Sequence, residues 1–216
     1  MSDMQAMLVD SMGNDLTVVN AARVSFNSHS DLLNTKDEGL ITFLAKHGHW
    51  SPFAHVMVQF RMKAPIFVAR QLVKHQVGLT WNEVSRRYVS ESPTFHTPSY
   101  WRQAAKDVKQ GSSKEPIDDL HGAGLTHDYK EMCTDILKFY DSMIEYGICP
   151  EQARMILPQS MMTEWYWTGS LVAFARIVKQ RTHSTAQLET QEVALLIKKA
   201  LDEKETITHS WRALCL

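Results

Sequence analysis

One stretch in the first half of the chain constrains the fold more than any other, because its periodicity changes without an intervening turn. Apolar Val56, Val58, Phe60 and Met62 alternate with Met57, Gln59, Arg61 and Lys63. This period of two predicts a half-buried strand. Pro65 follows, and proline favours the first turn of a helix because its missing N–H has no intrahelical partner there. Strand and helix therefore form one continuous unit.

The predicted helix after Pro65 has one cationic, amide-rich side. At about 100° per residue, its apolar side chains fall mainly on one face and its polar side chains on the other. The polar face holds Arg70, Gln71, Lys74 and His75. Beyond His75 the helical character is lost, because Gly78 frees the backbone and Thr80 is a weak helix former. We expect an irregular segment here that carries binding groups on a rigid base.

The stretch from Arg70 to Tyr88 suits an anionic ligand. A solvated surface helix usually mixes lysine with glutamate, whereas no acid occurs in this stretch before Glu83. Cations beside amides, a hydroxyl and a tyrosine fit a phosphate-bearing ligand, because the arginine fork matches phosphate oxygens. The alternative is a plain solvated helix followed by a basic surface turn.

Composition limits the domain count and the function classes. A length of 216 residues suffices for one full core, so we predict a single domain over residues 1–216. The 23 basic and 24 acidic residues nearly cancel, which argues against a general nucleic-acid or membrane surface. Three cysteines without a metal pattern, and no signal peptide or long apolar run, lead us to expect a reducing, cytoplasmic setting.

Residues 90–124 lack sustained periodicity and are rich in Ser, Pro, Lys and Gly. We expect an irregular, mobile segment within the domain. Elsewhere, spacing and capping signals predict strands at about 7–9 and 161–167 and helices at about 15–22, 37–47, 126–146, 171–181 and 193–201.

Histidines cluster in the sequence at His47, His49 and His55, with His75 farther along. No two of them have the spacing of four residues with an adjacent acid that a helical zinc site uses, and no cysteine is near. We therefore assign no metal site.

Several motifs point to one known family. Residues 82–88 read Asn-Glu-Val-Ser-Arg-Arg-Tyr, which matches the Asn-Glu-x-Ser-x-Arg-Tyr ending of the flavin-dependent thymidylate synthase signature. The signature's Arg-His-Arg triplet reads Lys-His-Gln at residues 74–76, and eight residues instead of seven separate it from Ser85. An Arg-x-x-Leu-Pro phrase at 154–158 and an arginine with Ala-Gln-x-Glu at 181–189 also match. The chain thus resembles this family outside its middle segment.

The resemblance implies a fold and a reaction. The fold is α/β, with a central mixed sheet flanked by helices, assembled as a homotetramer with shared active sites. The reaction is the reductive methylation of dUMP to dTMP, with methylenetetrahydrofolate as carbon donor, NADPH as reductant and non-covalent FAD. Nucleic acid and membrane are not expected partners. The chain has no GxGxxG motif, so we expect FAD in an interfacial groove instead of a dinucleotide-binding fold.

The resemblance also implies the candidate site residues. Arg181 is the expected catalytic residue, because a fixed cation can stabilise the negative charge that grows on the uracil ring. The candidate dUMP ligands are Gln71, Lys74, Glu83, Ser85, Arg86, Arg87, Arg154 and Arg181. The candidate FAD ligands are His49, Ser51, Lys74, His75, Gln76, Asn82, Glu83, Ser170 and Arg176.

Two other functions compete with this one. Lys74 and Gln76 stand where the signature has arginines, which leaves open a nucleotide- and flavin-binding protein of the same fold without turnover. A cysteine-dependent methyl-transfer enzyme that uses Cys149 is the third hypothesis. We expect it to fail, because the family's reaction needs no attacking thiol.

Overall fold

The computed structural model describes residues 3–89, 91–105 and 112–216. Its strands are β1 (Gln5–Met12), β2 (Met57–Pro65), β3 (Leu79–Glu83) and β4 (Met162–Ser170). Its α-helices are α1 (Asp15–Arg23), α2 (Thr35–Lys46), α3 (Ile66–Leu72), α4 (Asp119–Glu145), α5 (Pro150–Ala153), α6 (Leu171–Arg181), α7 (Leu188–Asp202) and α8 (Thr208–Cys215). Short 3-10 helices lie at Val24–Phe26, Ser51–His55, Arg154–Ile156 and Glu205–Ile207.

The strands of the described residues form a four-stranded sheet in the order β1-β2-β4-β3. Every neighbouring pair in it is antiparallel, so the prediction of a mixed sheet is wrong. Since β2 and β3 both run antiparallel to β4, they are parallel to each other. However, β4 lies between them, so this parallel relation produces no hydrogen-bonded pair.

One face of the sheet carries the core, and the alternation predicted for β2 is confirmed. This strand buries Val58, Phe60, Met62 and Ala64. The rings of Phe60 and Trp167, from neighbouring strands, lie 5.1 Å and 5.2 Å from the ring of Phe174 on α6. On the opposite face, Gln59 donates a 2.9 Å hydrogen bond to Thr168. The apolar face of the sheet therefore selects the side on which the helices pack.

The segment after α3 differs from its prediction as an irregular loop. Residues 79–83 form β3, because the edge of β4 supplies backbone partners for them. Trp81 stacks on Trp165 with ring centroids 4.3 Å apart. Gly169 on β4 lets the start of β3 approach closely, since a Cβ there would lie 2.6 Å from the carbonyl oxygen of Gly78. Pairing across strands outweighs weak local propensity here.

The helical predictions are confirmed most closely for α6, which runs from Leu171 to Arg181. Helix α4 begins at Asp119, earlier than the predicted residue 126, because Asp118 caps it by accepting from the His121 N–H at 3.1 Å. Helix α8 was not predicted. Trp211 anchors it in the core, where its indole N–H donates to Asp202 at 2.8 Å.

The described parts of the middle segment are held by backbone hydrogen bonds. The Met162 N–H donates to Thr94 at 2.8 Å, and the His96 N–H donates to Ser160 at the same distance. Farther along, Ile117 donates to Trp101 at 2.9 Å. Residues 90 and 106–111, which belong to the segment predicted to be mobile, lie outside the described residues. No helix among the described residues combines the length and the apolarity needed to cross a bilayer.

The first α-helix and the last are joined by Asp15, which predicts a stability effect. Asp15 is 4% exposed, and its carboxylate accepts from the N–H groups of His209 and Ser210 at 2.9 and 2.8 Å. We expect Asp15→Ala to lower the free energy of unfolding by about 2 kcal/mol, because two N–H groups, one of them buried, lose their carboxylate partner. Urea denaturation measures this change.

The control for this prediction is Asp31→Ala, since the Asp31 side chain is 97% exposed. We expect its free energy of unfolding to stay within about 0.5 kcal/mol of the unaltered protein. Equal stability of both variants would show that Asp15 does not fasten α8.

Candidate functional site

Helices α3 and α6 bring four candidate residues together around the C-terminal end of α3. We call Gln71, His75, Arg176 and Arg181 the helix-end cluster. Arg181 Nε donates to His75 Nε2 at 2.9 Å, and its Nη2 donates to the backbone oxygen of Gln71 at 3.3 Å. Arg176 Nη2 donates to the backbone oxygen of Val77 at 2.7 Å. The two arginines of α6 thus hold the segment that follows α3.

His75 is neutral in this arrangement. Burial lowers the pKa of His75, and the positive charges of Arg181 and Arg176 lower it further. The geometry agrees, because an arginine only donates, so His75 Nε2 must accept. The protein thereby keeps a guanidinium charge beside an uncharged imidazole.

The side chain of Gln71 is held at both ends of its amide. Its Nε2 donates to Gln187 at 2.6 Å, and its Oε1 accepts from Thr190 at 3.2 Å. Gln187 precedes α7 directly, and Thr190 lies in its first turn and is fully buried. Helix α7 therefore sets the position of a candidate dUMP ligand on α3.

The end of β3 presents a second group of candidates, which we call the strand-end cluster: Glu83, Ser85, Arg86 and Arg87. Glu83 accepts from Thr163 at 2.7 Å and from the Trp81 indole at 3.1 Å. Ser85 Oγ accepts from Arg87 Nε at 3.0 Å. A serine engaged by a guanidinium suits ligand binding better than nucleophilic attack.

Helices α4 and α5 adjoin the strand-end cluster. Arg86 lies over the ring of Tyr140 on α4 at 5.8 Å, and its Nε is buried without a hydrogen-bond partner among the described residues. Arg87 lies 3.7 Å from the carboxylate of Glu151 on α5. The exposed Arg154 follows α5 directly. Arg86 therefore adjoins α4, whereas Arg87 and Arg154 adjoin the two ends of α5.

A cavity of about 720 Å³ opens on the polar face of the sheet next to α6. Its lining is mostly apolar and is supplied by Trp50, Ala54, Met57, Val77, Gly78, Leu79, Thr80, Thr168, Ser170, Val172 and Arg176. Gly78 has a φ of +76°, and a Cβ there would lie 3.1 Å from Ser170 Oγ. A side chain at residue 78 would therefore crowd Ser170 at the wall of the cavity. An apolar cavity with one cation fits a flat, partly charged ring such as the isoalloxazine of FAD.

The candidate FAD ligands divide among several places. Ser170 and Arg176 line this cavity, although Ser170 also caps α6 by accepting from the Ala173 N–H at 3.4 Å. His49 and Ser51 are exposed and flank Trp50, which lines the cavity. Two further candidates, Lys74 and Gln76, are exposed on either side of His75.

Asn82 lies apart from these FAD candidates. It lines a different cavity of about 480 Å³, together with Arg86, Glu164 and Tyr166. Alternation along β3 explains the separation from Glu83, because successive side chains of a strand point to opposite faces. The two neighbours therefore cannot serve the same wall of one pocket within this chain.

Sequence reasoning missed several residues that the structure brings to the site. The Ala-Gln-x-Glu phrase marked Gln187 and Glu189, but gave them no role. Arg102 had no motif to mark it, yet its side chain reaches Glu189. Trp50 also carried a signal, because it lies between His49 and Ser51 in the sequence.

Comparisons with known proteins match most of the chain. Residues 7–204 match the family model described as thymidylate synthase complementing protein. A protein named flavin-dependent thymidylate synthase from Kosmotoga olearia is 38% identical over 204 residues, which cover 94% of this chain and 86% of that protein. The protein of that name from Thermus thermophilus is 36% identical over 206 residues, covering 95% and 73%.

Solved structures also match. A crystal structure of a UMP/dUMP methylase from Streptomyces cacaoi, bound with 5-Br dUMP, superposes with a TM-score of 0.87. The two chains are 30% identical, and the match covers 98% of this chain and 94% of the other. The same enzyme bound with 5-Br UMP gives a TM-score of 0.86 at 29% identity, covering 100% and 95%.

The lowered pKa of His75 predicts how stability depends on pH. A histidine in the unfolded chain titrates near pH 6.5, whereas the folded protein binds this proton only at lower pH. The stability from His75 is therefore complete above about pH 6.5 and is lost as the pH falls below it. We expect the Tm of the unaltered protein to drop more than that of His75→Gln between about pH 7.5 and about pH 5.5.

The matched control is His29→Gln, since His29 has an exposed side chain far along the chain from the cluster. Its Tm should follow the pH dependence of the unaltered protein. Parallel Tm curves for His75→Gln and the unaltered protein would contradict the assignment of a neutral, buried imidazole.

Proposed function

The chain belongs to the family of thymidylate synthase complementing proteins, the flavin-dependent thymidylate synthases, and on that premise we propose that it methylates dUMP to dTMP. Methylenetetrahydrofolate is the carbon donor, NADPH is the reductant and FAD is the bound cofactor. The observation that carries the proposal is the helix-end cluster, where Arg181 is fixed by His75 and Gln71. The positive charge of Arg181 therefore lies beside Gln71, a candidate ligand of dUMP.

Arg181 supplies the charge that the reaction needs. C5 of uracil is a poor nucleophile, so negative charge must grow on the ring before a new carbon bond forms there. A fixed guanidinium stabilises such charge, most strongly where water is excluded. Among the described residues, Arg181 uses two of its five N–H groups on His75 and Gln71, which leaves three to face the ring. Because His75 is neutral, it holds Arg181 without weakening its charge.

The strand-end cluster is the proposed phosphate site. Arg87 and Ser85 already contact each other, and Arg154 follows the helix that faces Arg87. Arginine forks and a hydroxyl are the groups that bind a phosphomonoester well. Arg86 adds a buried Nε without a partner among the described residues. Glu83, fixed by Thr163 and Trp81, is the proposed ligand for a hydroxyl or N–H of the nucleotide.

The cavity of about 720 Å³ next to α6 is the proposed place for the flavin ring. When bound, FAD supplies the hydride carrier of the reaction, and the protein orients it. Trp50, Val77 and Val172 offer apolar surface to a flat ring, and Arg176 offers a cation. His49, Ser51, Lys74, Gln76 and Asn82 remain candidates for the rest of the cofactor. In a homotetramer with shared active sites, they can act on the FAD of a neighbouring subunit.

The names of the relatives support turnover over the alternative of a binding protein that has lost it. The single-domain organisation, the homotetramer and the cytoplasmic setting stay predictions.

The purified protein tests the function directly. It should carry or take up FAD and form dTMP from dUMP, methylenetetrahydrofolate and NADPH. A protein that binds neither FAD nor dUMP would contradict the proposal.

Arg181→Ala should lower the rate of dTMP formation by about 100-fold or more, because one fixed charge at the developing anion is removed. Steady-state assays with saturating FAD measure this rate. The control is Cys149→Ala, which removes an exposed thiol and should leave the rate unchanged. Full activity of Arg181→Ala would refute its catalytic role, and inactivity of Cys149→Ala would favour a thiol-dependent reaction.

Arg87→Ala should weaken dUMP binding by about 2 kcal/mol, roughly a thirtyfold rise in Kd, because a charged partner of the phosphate is lost. Calorimetry with dUMP measures this, and deoxyuridine without phosphate should lose far less. The exposed Arg212 on α8 provides the matched arginine-to-alanine control. If the two variants bind dUMP equally, the phosphate assignment is wrong.

A further inference from the structure

We propose that Arg102, in the middle segment, is a positioning residue that orients the amide of Gln71 toward dUMP through Glu189 and Gln187. This inference rests on the proposed function, since it assumes that Gln71 binds the nucleotide. It assigns a role to three residues that stand outside the candidate ligand sets. The argument depends on which hydrogen-bonding group each side chain can present.

The chain of contacts begins with an ion pair. Arg102 Nη2 lies 2.7 Å from Glu189 Oε1, and the two side chains are only 14% and 13% exposed. By contrast, most other ion pairs of the described residues are considerably more exposed. Pairs shielded from water are screened less by salt and hold their geometry better than surface pairs. Arg102 therefore fixes the place of the Glu189 carboxylate.

The carboxylate then sets the direction of an amide. Gln187 Nε2 donates to Glu189 Oε2 at 2.9 Å. A carboxylate in an ion pair can only accept, so Gln187 must turn its NH₂ group toward Glu189. Its carbonyl oxygen is left pointing to Gln71, whose Nε2 donates to it at 2.6 Å. Gln71 therefore turns its NH₂ group toward Gln187, just as Gln187 turns its NH₂ group toward Glu189.

Thr190 supports this orientation without deciding it. Its hydroxyl donates to Gln71 Oε1 at 3.2 Å. A hydroxyl can rotate to donate or to accept, so it could serve Gln71 in either orientation of the amide. Only Glu189 is restricted to one role. The Glu189 carboxylate, acting through Gln187, thus determines which group Gln71 presents. We call these contacts from Arg102 to Gln71 the relay.

The consequence is a defined pattern at the substrate. With these contacts made, Gln71 keeps one N–H and one lone pair of Oε1 for a ligand. Reversal of the amide would exchange donor and acceptor, and a ligand bound by that pattern would lose hydrogen bonds. Gln71 is also the residue whose backbone oxygen holds Arg181 at 3.3 Å. The relay therefore ends at the catalytic cluster.

Arg102 itself is anchored in the middle segment. Its backbone forms an isolated antiparallel β-bridge with Pro116. The backbone oxygen of its neighbour Trp101 accepts from the Ile117 N–H at 2.9 Å. The backbone pairing of residues 101 and 102 with residues 116 and 117 thus places the Arg102 guanidinium next to α7. Through Glu189 and Gln187, this part of the chain contributes to the position of Gln71.

A double-mutant cycle tests the proposal. Calorimetry gives the Kd for dUMP of the unaltered protein and of Arg102→Ala, Glu189→Gln and Gln71→Ala. It also gives the Kd of the two double variants that combine Gln71→Ala with Arg102→Ala or with Glu189→Gln. Glu189→Gln is a second, isosteric variant, because its neutral amide can face Gln187 with either group. The control is Lys198→Ala, which removes an ion pair with Asp202 on the same helix as Glu189. Thermal unfolding reports whether each variant is folded.

We expect Arg102→Ala and Glu189→Gln each to raise the Kd for dUMP about tenfold, the size expected for one misdirected hydrogen bond. In the Gln71→Ala background, the same changes should alter the Kd by less than about twofold, because the group they orient is gone. Lys198→Ala should bind dUMP as the unaltered protein does.

Three results would overturn the proposal. One is a Kd that Arg102→Ala and Glu189→Gln leave unchanged in a folded protein. Another is an equal loss of affinity in both backgrounds, which would mean that Arg102 acts independently of Gln71. The third is a Gln71→Ala variant with unaltered affinity. If the unaltered protein binds no dUMP at all, the proposed function fails and this inference fails with it, which distinguishes that result from the other three.

Discussion

The site depends on how two strands continue directly into helices. Strands β2 and β4 pair antiparallel along their whole length, with Met57 opposite Ser170 and Pro65 opposite Met162. Helix α3 therefore leaves one end of this pair and α6 leaves the other. Both pack on the same core, and at about 1.5 Å per residue they return toward each other. Their C-terminal ends meet, so Arg181 reaches Gln71 and His75.

Charge is distributed unevenly around this meeting point. The guanidinium of Arg181 is held by a neutral imidazole and a backbone oxygen, so no carboxylate of these contacts neutralises it. The nearest acid in the chain of hydrogen bonds is Glu189, which is separated from Gln71 by one amide and is paired with Arg102. A cation that meets no acid in these contacts can stabilise the negative charge that grows on the uracil ring.

How much could be predicted from the sequence depended on where each signal lies. The alternation of β2 and the amphipathic run of α6 are local, and both predictions were confirmed. The signature residues 82–88 identified the family, which the comparisons support. The mixed sheet was wrong, and so was the irregular segment after α3 at residues 79–83. Strand order and the pairing of β3 depend on β4, which lies about 80 residues farther along the chain. Helix α8 was missed because its anchor, Asp15, lies near the other terminus.

The sequence by itself determined the periodicity of the main elements, the family and the residue types available for catalysis. These follow from neighbours a few positions apart, whose spacing fixes which side chains share a face. The tertiary structure alone decided which side chains meet. Arg181 and His75 are 106 positions apart, and Arg102 and Glu189 are 87 apart. No local pattern records such contacts, because they arise only when the packed core brings distant helices and loops together.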